Sequence, residues 1–265
     1  GAIIVAGPTG SGKTTTLASC MGLVDEDRKL YSIEDPVEKV VEKSTQVPVN
    51  TDLDDRSFAS MGRAALRMDP DVIVLGEMRD EDTSRVMVRA AITGHLVLTT
   101  LHTSSAPGII TRLMDLGISP TLLSDSNLLR LLAFQRLVIK ICPHCSIPIT
   151  ESEKHKADLP YWEKLLGNLD TIKARGPGCH ECEDQGIAGR IVVAEIIWVD
   201  DIGRAFIKKG DVHGWEKYLR SKGWQSYKDR TMQILRDGIA DPLFREAVRS
   251  LAIKWGIPTL DFNKD

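Results

Sequence analysis

Ala2-Ile3-Ile4-Val5-Ala6-Gly7-Pro8-Thr9-Gly10-Ser11-Gly12-Lys13-Thr14 is the stretch on which the reading of the whole chain turns. Its first five residues form a run too short and too apolar for anything but a buried strand. The next eight match the phosphate-loop pattern: two glycines five apart, then Lys and a hydroxyl residue. From Thr15 to Val24 there is no proline and one glycine, Gly22, so a helix can start behind the loop. Strand, loop and helix together are the context the motif requires. Gly10 and Gly12 let the backbone wrap phosphate oxygens, and successive N–H groups at a helix N-terminus point at the anion. Nucleotide contacts are therefore expected from Gly7, Pro8, Thr9, Gly10, Ser11, Gly12, Lys13, Thr14 and Thr15. Lys13 would meet the β- and γ-phosphates, and the Thr14 hydroxyl would sit on Mg²⁺.

Working outward, Leu30-Tyr31-Ser32-Ile33 is a second short strand that ends in Glu34-Asp35-Pro36-Val37-Glu38. Acidic residues at the carboxyl end of a strand in an α/β sheet lie beside the ligand crevice. Pro36 stops the strand and sets the turn that aims them. Gln46-Val47-Pro48-Val49 reads as an edge strand because of its proline. Phe58, Met61, Ala65 and Met68 mark one face of a helix over about Arg56–Arg67. Val72-Ile73-Val74-Leu75-Gly76-Glu77 then delivers a carboxylate from a buried strand toward metal and water, 64 residues after Lys13. Many phosphate-loop enzymes carry Asp where this chain has Gly76. A helix follows over Glu81–Ile92, then a strand within Thr93–Thr103 bracketed by His95 and His102, with Thr99, Thr100 and Thr103 able to bond phosphate or water. Ile109, Ile110, Leu113 and Met114 give one more amphipathic helix. Leu122–Leu137 is apolar nearly all round and reads as a buried helix.

The five cysteines are Cys20, Cys142, Cys145, Cys179 and Cys182. Cys20 sits in the helix after the phosphate loop as a small apolar residue. The others form Cys142-Pro143-His144-Cys145 and Cys179-His180-Glu181-Cys182, with 33 residues between the pairs. Each pair aims two thiolates at one point, and two pairs complete a tetrahedral site with no open position, which suits structural Zn²⁺. The intervening Ser146–Gly178 must loop out and includes a helix near Glu151–Leu166. His144 or His180 could replace a cysteine in principle. Such usage also points to a reducing compartment, not a disulfide framework.

Composition excludes more than it assigns. Lys and Arg number 34 against 37 Asp and Glu, a net charge of −3, which gives no pull toward nucleic acid. No stretch approaches the roughly eighteen apolar residues of a membrane span. The chain opens at Gly1, nearly inside a core strand, so an upstream domain is expected.

Gly7–Thr14, Ile33–Glu38, Asp69–Asp80 and Thr93–Thr103 resemble, in order, the four sequence boxes of the secretion-ATPase superfamily. Within it the chain is similar to the ring-forming ATPases of type II secretion and type IV pilus assembly. The resemblance implies an α/β, RecA-like core and ATP hydrolysis with Mg²⁺ on Thr14 and Glu77. It implies that Glu38 polarises the attacking water, Glu77 works at the metal and His102 lies near the γ-phosphate. It implies a homohexamer acting on an inner-membrane platform protein, at the cytoplasmic face of the bacterial membrane and bound there only through partners. Arginines from the upstream N-terminal domain, packed against the nucleotide at the joint between subunits, would complete the site; failing that, Arg79, Arg85 and Arg112 are candidates.

The tetracysteine element favours an extension or export motor over retraction or conjugation relatives, which lack it. A GTP-driven switch would need Asn-Lys-x-Asp, and only Asn263-Lys264-Asp265 is present. A zinc-bearing nucleic-acid module would want basic residues around the cysteines. The organisation expected is a core over 1–137, a zinc subdomain over 138–196 and a smaller, mainly helical C-terminal region over 197–265. In that tail Asp241 and Pro242 would start a helix that Gly256 ends.

Overall fold

Strands with branched aliphatics at every position need cover on both faces, and this chain supplies it with helices. The computed structural model describes residues 1–50, 53 and 56–242. A seven-stranded sheet runs in the order β3 (Ser44–Pro48), β2 (Leu30–Glu34), β4 (Val72–Leu75), β5 (Leu96–Leu101), β1 (Ala2–Ala6), β6 (Leu129–Ile141) and β9 (Ile187–Trp198). The pairs β3–β2, β2–β4, β4–β5, β5–β1 and β1–β6 are all parallel. Pro48 therefore lies on an edge strand, where its missing N–H costs nothing.

The strand alternation sorts the core into two layers. Val5, Val72, Val74, Leu98 and Ala133 face Leu17 and Met21 of α1 (Lys13–Gly22). Ile4, Ile73, Leu75 and Phe134 face the opposite layer. That layer holds α2 (Phe58–Ala65), α3 (Glu81–Ile92), α4 (Gly108–Asp115), α7 (Asp201–Lys208) and α8 (Val212–Ser221). The fold is thus α/β with a mainly parallel sheet, as the motif pattern implies.

Leu122–Leu137 is not a helix. A short helix, α5 (Pro120–Leu123), ends there and β6 begins at Leu129. The centre of β6, Leu131 to Phe134, is covered on both faces, with Leu132 and Phe134 in one layer and Ala133 in the other, so it reads as a continuous apolar run. Length and polarity alone do not separate such a strand from a buried helix.

The chain divides into two compact units, the first formed by Gly1–Leu137 with Val192–Tyr227. The second takes Val138–Ile191 and the described residues that follow Tyr227. This differs from three successive regions. β9 returns the chain to the sheet, and Ile207 and Trp215, both 0% exposed, join the core of the first unit. The second unit contains β7 (Ile147–Pro148) paired antiparallel with β8 (Lys173–Ala174), and α6 (Leu159–Leu166), the later half of the helix expected there. The helix expected from Asp241 to Gly256 lies outside the described residues beyond Pro242; Asp241 itself accepts from the Arg175 N–H at 2.5 Å and pairs with buried His155 at 2.8 Å.

Candidate functional site

The phosphate-loop sequence folds as its glycines require. Gly7 stands at φ 154°, and a Cβ there would lie 2.4 Å from the Gln135 carbonyl, so only glycine lets the loop pass under β6. Gly12, at φ 84°, is the left-handed N-cap of α1. No side chain caps α1 and no acidic residue occupies its first turn, so its N–H groups are left for an anion. The Lys13 ammonium folds back to donate to the Gly7 carbonyl at 2.8 Å and the Pro8 carbonyl at 3.1 Å. Burial lowers its pKa, opposed by the charge of Glu77.

A cleft of about 620 Å³ opens at the carboxyl ends of the strands. Thr9–Thr15, Glu34, Glu38, Glu77, Arg79 and His102 all line it, so the four separate boxes meet in one place. Glu77 leaves β4 with one carboxylate oxygen 2.7 Å from the Arg79 guanidinium and the other 3.2 Å from His102 Nε2. Burial alone would raise its pKa; Arg79, His102 and Lys13 together bring it below the ordinary value. Gly76, where many such sites carry Asp, has a reason in packing. A Cβ there would sit 3.1 Å from the Ile33 carbonyl and 3.3 Å from the Glu34 Cα, against the end of β2.

Glu38 is exposed at the rim of the cleft. The turn that carries it is held by Gln46, whose amide donates to Glu34 Oε1 at 2.7 Å and to the Lys39 carbonyl at 2.8 Å and accepts from the Val41 N–H. Glu34 itself is buried and also accepts from the Ser32 hydroxyl at 2.7 Å. Two of the three threonines of the histidine box donate to backbone carbonyls. Thr99 is fully buried, Thr100 donates to the Gly76 carbonyl at 2.7 Å and Thr103 to the Ser105 carbonyl at 2.9 Å. His95 lies outside the cleft, its Nδ1 3.0 Å from the Ala90 carbonyl. Of the three candidate arginines, Arg79 alone lines the cleft; Arg85 pairs with Glu81 and Asp82 on α3, and Arg112 reaches the Arg79 carbonyl at 3.5 Å.

Two residues have supporting roles that no reading of the sequence assigned to them. Buried Gln135, on β6, donates through Nε2 to the Ser11 carbonyl at 2.8 Å and accepts from the Thr16 hydroxyl at 2.9 Å. It braces the phosphate loop from a strand 124 residues away. Glu195, 3% exposed on β9, accepts from the Ala106 N–H at 2.6 Å and the Tyr227 N–H at 2.7 Å, and so anchors the segment after His102. Burial pushes its carboxyl up in spite of those donors.

In the second unit the four thiols of Cys142, Cys145, Cys179 and Cys182 lie within 4.8 Å of one another. The separations Cys142–Cys179, Cys145–Cys182 and Cys179–Cys182 are each 3.8 Å. A tetrahedral Zn²⁺ with bonds of about 2.3 Å needs sulfurs about 3.8 Å apart, so the donor set fits that ion. Burial would raise the Cys182 thiol, but N–H groups of Cys179 at 3.2 Å and Gly186 at 3.1 Å, with the neighbouring thiols, bring it down to about 6. His144 and His180 contribute no atom to the cluster.

The first unit holds the cleft and the second the cysteine cluster, and the chain is similar in sequence and in fold to known proteins. A sequence model of type II/IV secretion system proteins matches residues 1–249. The chain is 47% identical over 237 residues to type II secretion system protein E of Pseudomonas aeruginosa, covering 89% of this chain and 46% of that one. It is 43% identical over 205 residues to the type IV pilus assembly ATPase TfpB of Acinetobacter baylyi, covering 76% of this chain and 34% of that one. It therefore spans half the length of these curated relatives or less. Among solved structures, the pilus retraction motor PilT with bound ADP is 30% identical with a TM-score of 0.66, covering 91% of this chain and 59% of that one. The ATPase DotB of Legionella pneumophila, 22% identical with a TM-score of 0.66 over 95% of this chain and 60% of that one, shares the fold. The chain belongs to the type II/IV secretion system protein family.

Proposed function

We propose that this chain is the nucleotide-hydrolysing part of a ring-forming ATPase that powers type II protein secretion or type IV pilus assembly. One observation carries the reading: Lys13, Thr14, Glu38, Glu77 and His102, dispersed over 90 residues, line a single cleft beside an uncapped helix N-terminus. In this reading Lys13 leaves the loop carbonyls for the β- and γ-phosphates, and the α1 N–H groups take the remaining charge. Glu38, free at the rim, orients and deprotonates the attacking water. Glu77 is kept ionised and aimed by Arg79 and His102. Thr14 and Glu77 would hold Mg²⁺, which supplies neutralisation of charge on the phosphates.

The four cysteines would hold structural Zn²⁺, a separate element from the ATP chemistry. The tetracysteine element supports an export or extension motor over a retraction motor. The proposed partners are five further copies in a hexameric ring and an inner-membrane platform protein, which places the motor at the cytoplasmic face of that membrane. No helix among the described residues is long and apolar enough to cross a membrane. The test is Mg²⁺-dependent ATP turnover by the purified chain, with Lys13→Ala expected to abolish it and to weaken nucleotide binding strongly. Turnover unchanged in that variant would refute the reading.

A further inference from the structure

β5 has two ends, and only the His102 end belongs to the nucleotide cleft. At the other, ahead of Leu96, a second concavity of about 330 Å³ is lined by Arg63, Leu66, Arg67, Arg89, Thr93 and His95. Three guanidiniums and an imidazole share it with no carboxylate, on a chain whose net charge is −3. All three arginines are exposed, and none forms an ion pair among the described residues; Arg63 donates only to the Ser60 hydroxyl at 3.3 Å. The acidic residues that follow Arg67 are taken elsewhere: Asp69 pairs with Lys29 at 3.2 Å and Asp71 with Arg28 at 3.0 Å. The His95 Nδ1 is 3.0 Å from both the Ala90 carbonyl and the Thr93 hydroxyl.

Arg63 stands in the last turn of α2 and Arg89 in the last turn of α3. A cation there offsets the negative end of the helix dipole, which accounts for one arginine per helix. It does not account for their convergence with Arg67 and His95 on one concavity. The same helix ends discriminate between ligands. Compact phosphate sites are built from N–H groups at helix N-termini, whereas these helices end in carbonyls that repel a concentrated dianion. Separate carboxylates, each met by one planar guanidinium, suit the arrangement. Leu66 adds apolar lining, and Met68 and Ile92, next in the chain to Arg67 and Thr93, are 53% and 39% exposed.

We propose that this concavity docks an acidic, partly apolar segment of a different protein. A second copy of this chain is the rival occupant: its exposed acidic turn Asp25-Glu26-Asp27 is followed by Arg28 and Lys29, both already paired with Asp71 and Asp69, and self-association is read as a separate outcome of the test. The site is separate from the nucleotide cleft, and the proposal stands or falls independently of ATP hydrolysis. The probe is a fluorescein-labelled Glu-Leu-Glu-Glu-Leu-Glu peptide titrated against the chain and followed by anisotropy. Arg63→Gln with Arg89→Gln should weaken binding about tenfold, since two exposed charge-assisted pairs are lost. Arg63→Lys with Arg89→Lys should fall between, because charge is kept and the planar fork is not. Lys208→Gln with Lys209→Gln, an exposed basic pair on α7 and its end, should bind as the parent does. Equal weakening by the α7 pair would mean non-specific attraction and overturn the proposal. So would arginine variants that change only the binding of inorganic phosphate or phosphatidylglycerol vesicles, or that abolish self-association seen by light scattering.

Discussion

Replacing Gln135 with leucine tests whether the phosphate loop is shaped by β6 or by its own glycines alone. The side chain is 3% exposed and makes two hydrogen bonds, to the Ser11 carbonyl at 2.8 Å and from the Thr16 hydroxyl at 2.9 Å. Its amide orientation is fixed chemically, since a carbonyl can only accept. Leucine keeps the approximate volume and removes both bonds. Ser11 is 2% exposed, so its carbonyl would be left dry and unpaired, at a cost of about 1–3 kcal/mol. Thr16 is half-buried and can turn to water, so its share is about 0.5–1 kcal/mol. A total near 2 kcal/mol corresponds to a drop of about 4–8 °C in melting temperature for a domain of this size. Where the loss falls on the loop alone, it becomes a decrease of up to about 30-fold in nucleotide affinity. Differential scanning fluorimetry and titration with a fluorescent ADP analogue read the two parts separately. Gln135→Glu keeps the shape but offers an acceptor to an acceptor, and should be at least as harmful. A leucine variant with parental melting temperature and parental affinity would refute the reasoning, and a glutamate variant that behaves as the parent would show that the bond to Ser11 is unused.

Glu77→Gln and Glu38→Gln should bind ATP yet hydrolyse it at least about a hundredfold more slowly, as expected when a group aimed at the reacting water or metal is neutralised; a parental rate in either single-turnover assay removes that residue from the chemistry. Elemental analysis should find one zinc per chain. Cys145→Ser should lower that content and destabilise the second unit while nucleotide binding survives, because structural zinc contributes to folding directly; protein purified without chelators and free of metal would sink the assignment. Glu77 also carries a pH signature. Its carboxyl is held below the ordinary value of about 4.5, so its contribution to stability is present above that value and is lost as the pH falls through the folded-state pKa. Melting curves of the parent and of Glu77→Gln should converge on acidification, and a constant difference across that range would contradict the ion-pair geometry.

What the sequence made legible follows from how local each determinant is. The phosphate loop, β4 with Glu77, and α3 are set by neighbours within a few residues. α3 starts at Glu81 because Asp80 accepts from the Thr83 N–H at 2.7 Å, and it ends where Thr93 and Gly94 follow Ile92. The Cys-x-x-Cys spacing likewise announces a metal site, although the 3.8 Å sulfur separations that test it are a product of folding. β6 was illegible for the opposite reason. A strand buried on both faces has no period of two, and its partner β1 lies more than a hundred residues earlier in the chain. Misreading it as a helix hid Gln135 as well, since a polar residue in an apolar helix reads as an interruption, not as a brace. The hydroxyls of Thr100 and Thr103 show the converse error: residue type and spacing offered them to a ligand, but the backbone carbonyls of Gly76 and Ser105 claimed them first. In this fold the groups that line the cleft were written in contiguous motifs. The groups that hold those motifs in shape, Gln46, Gln135 and Glu195, come from elsewhere in the chain and carry no motif of their own.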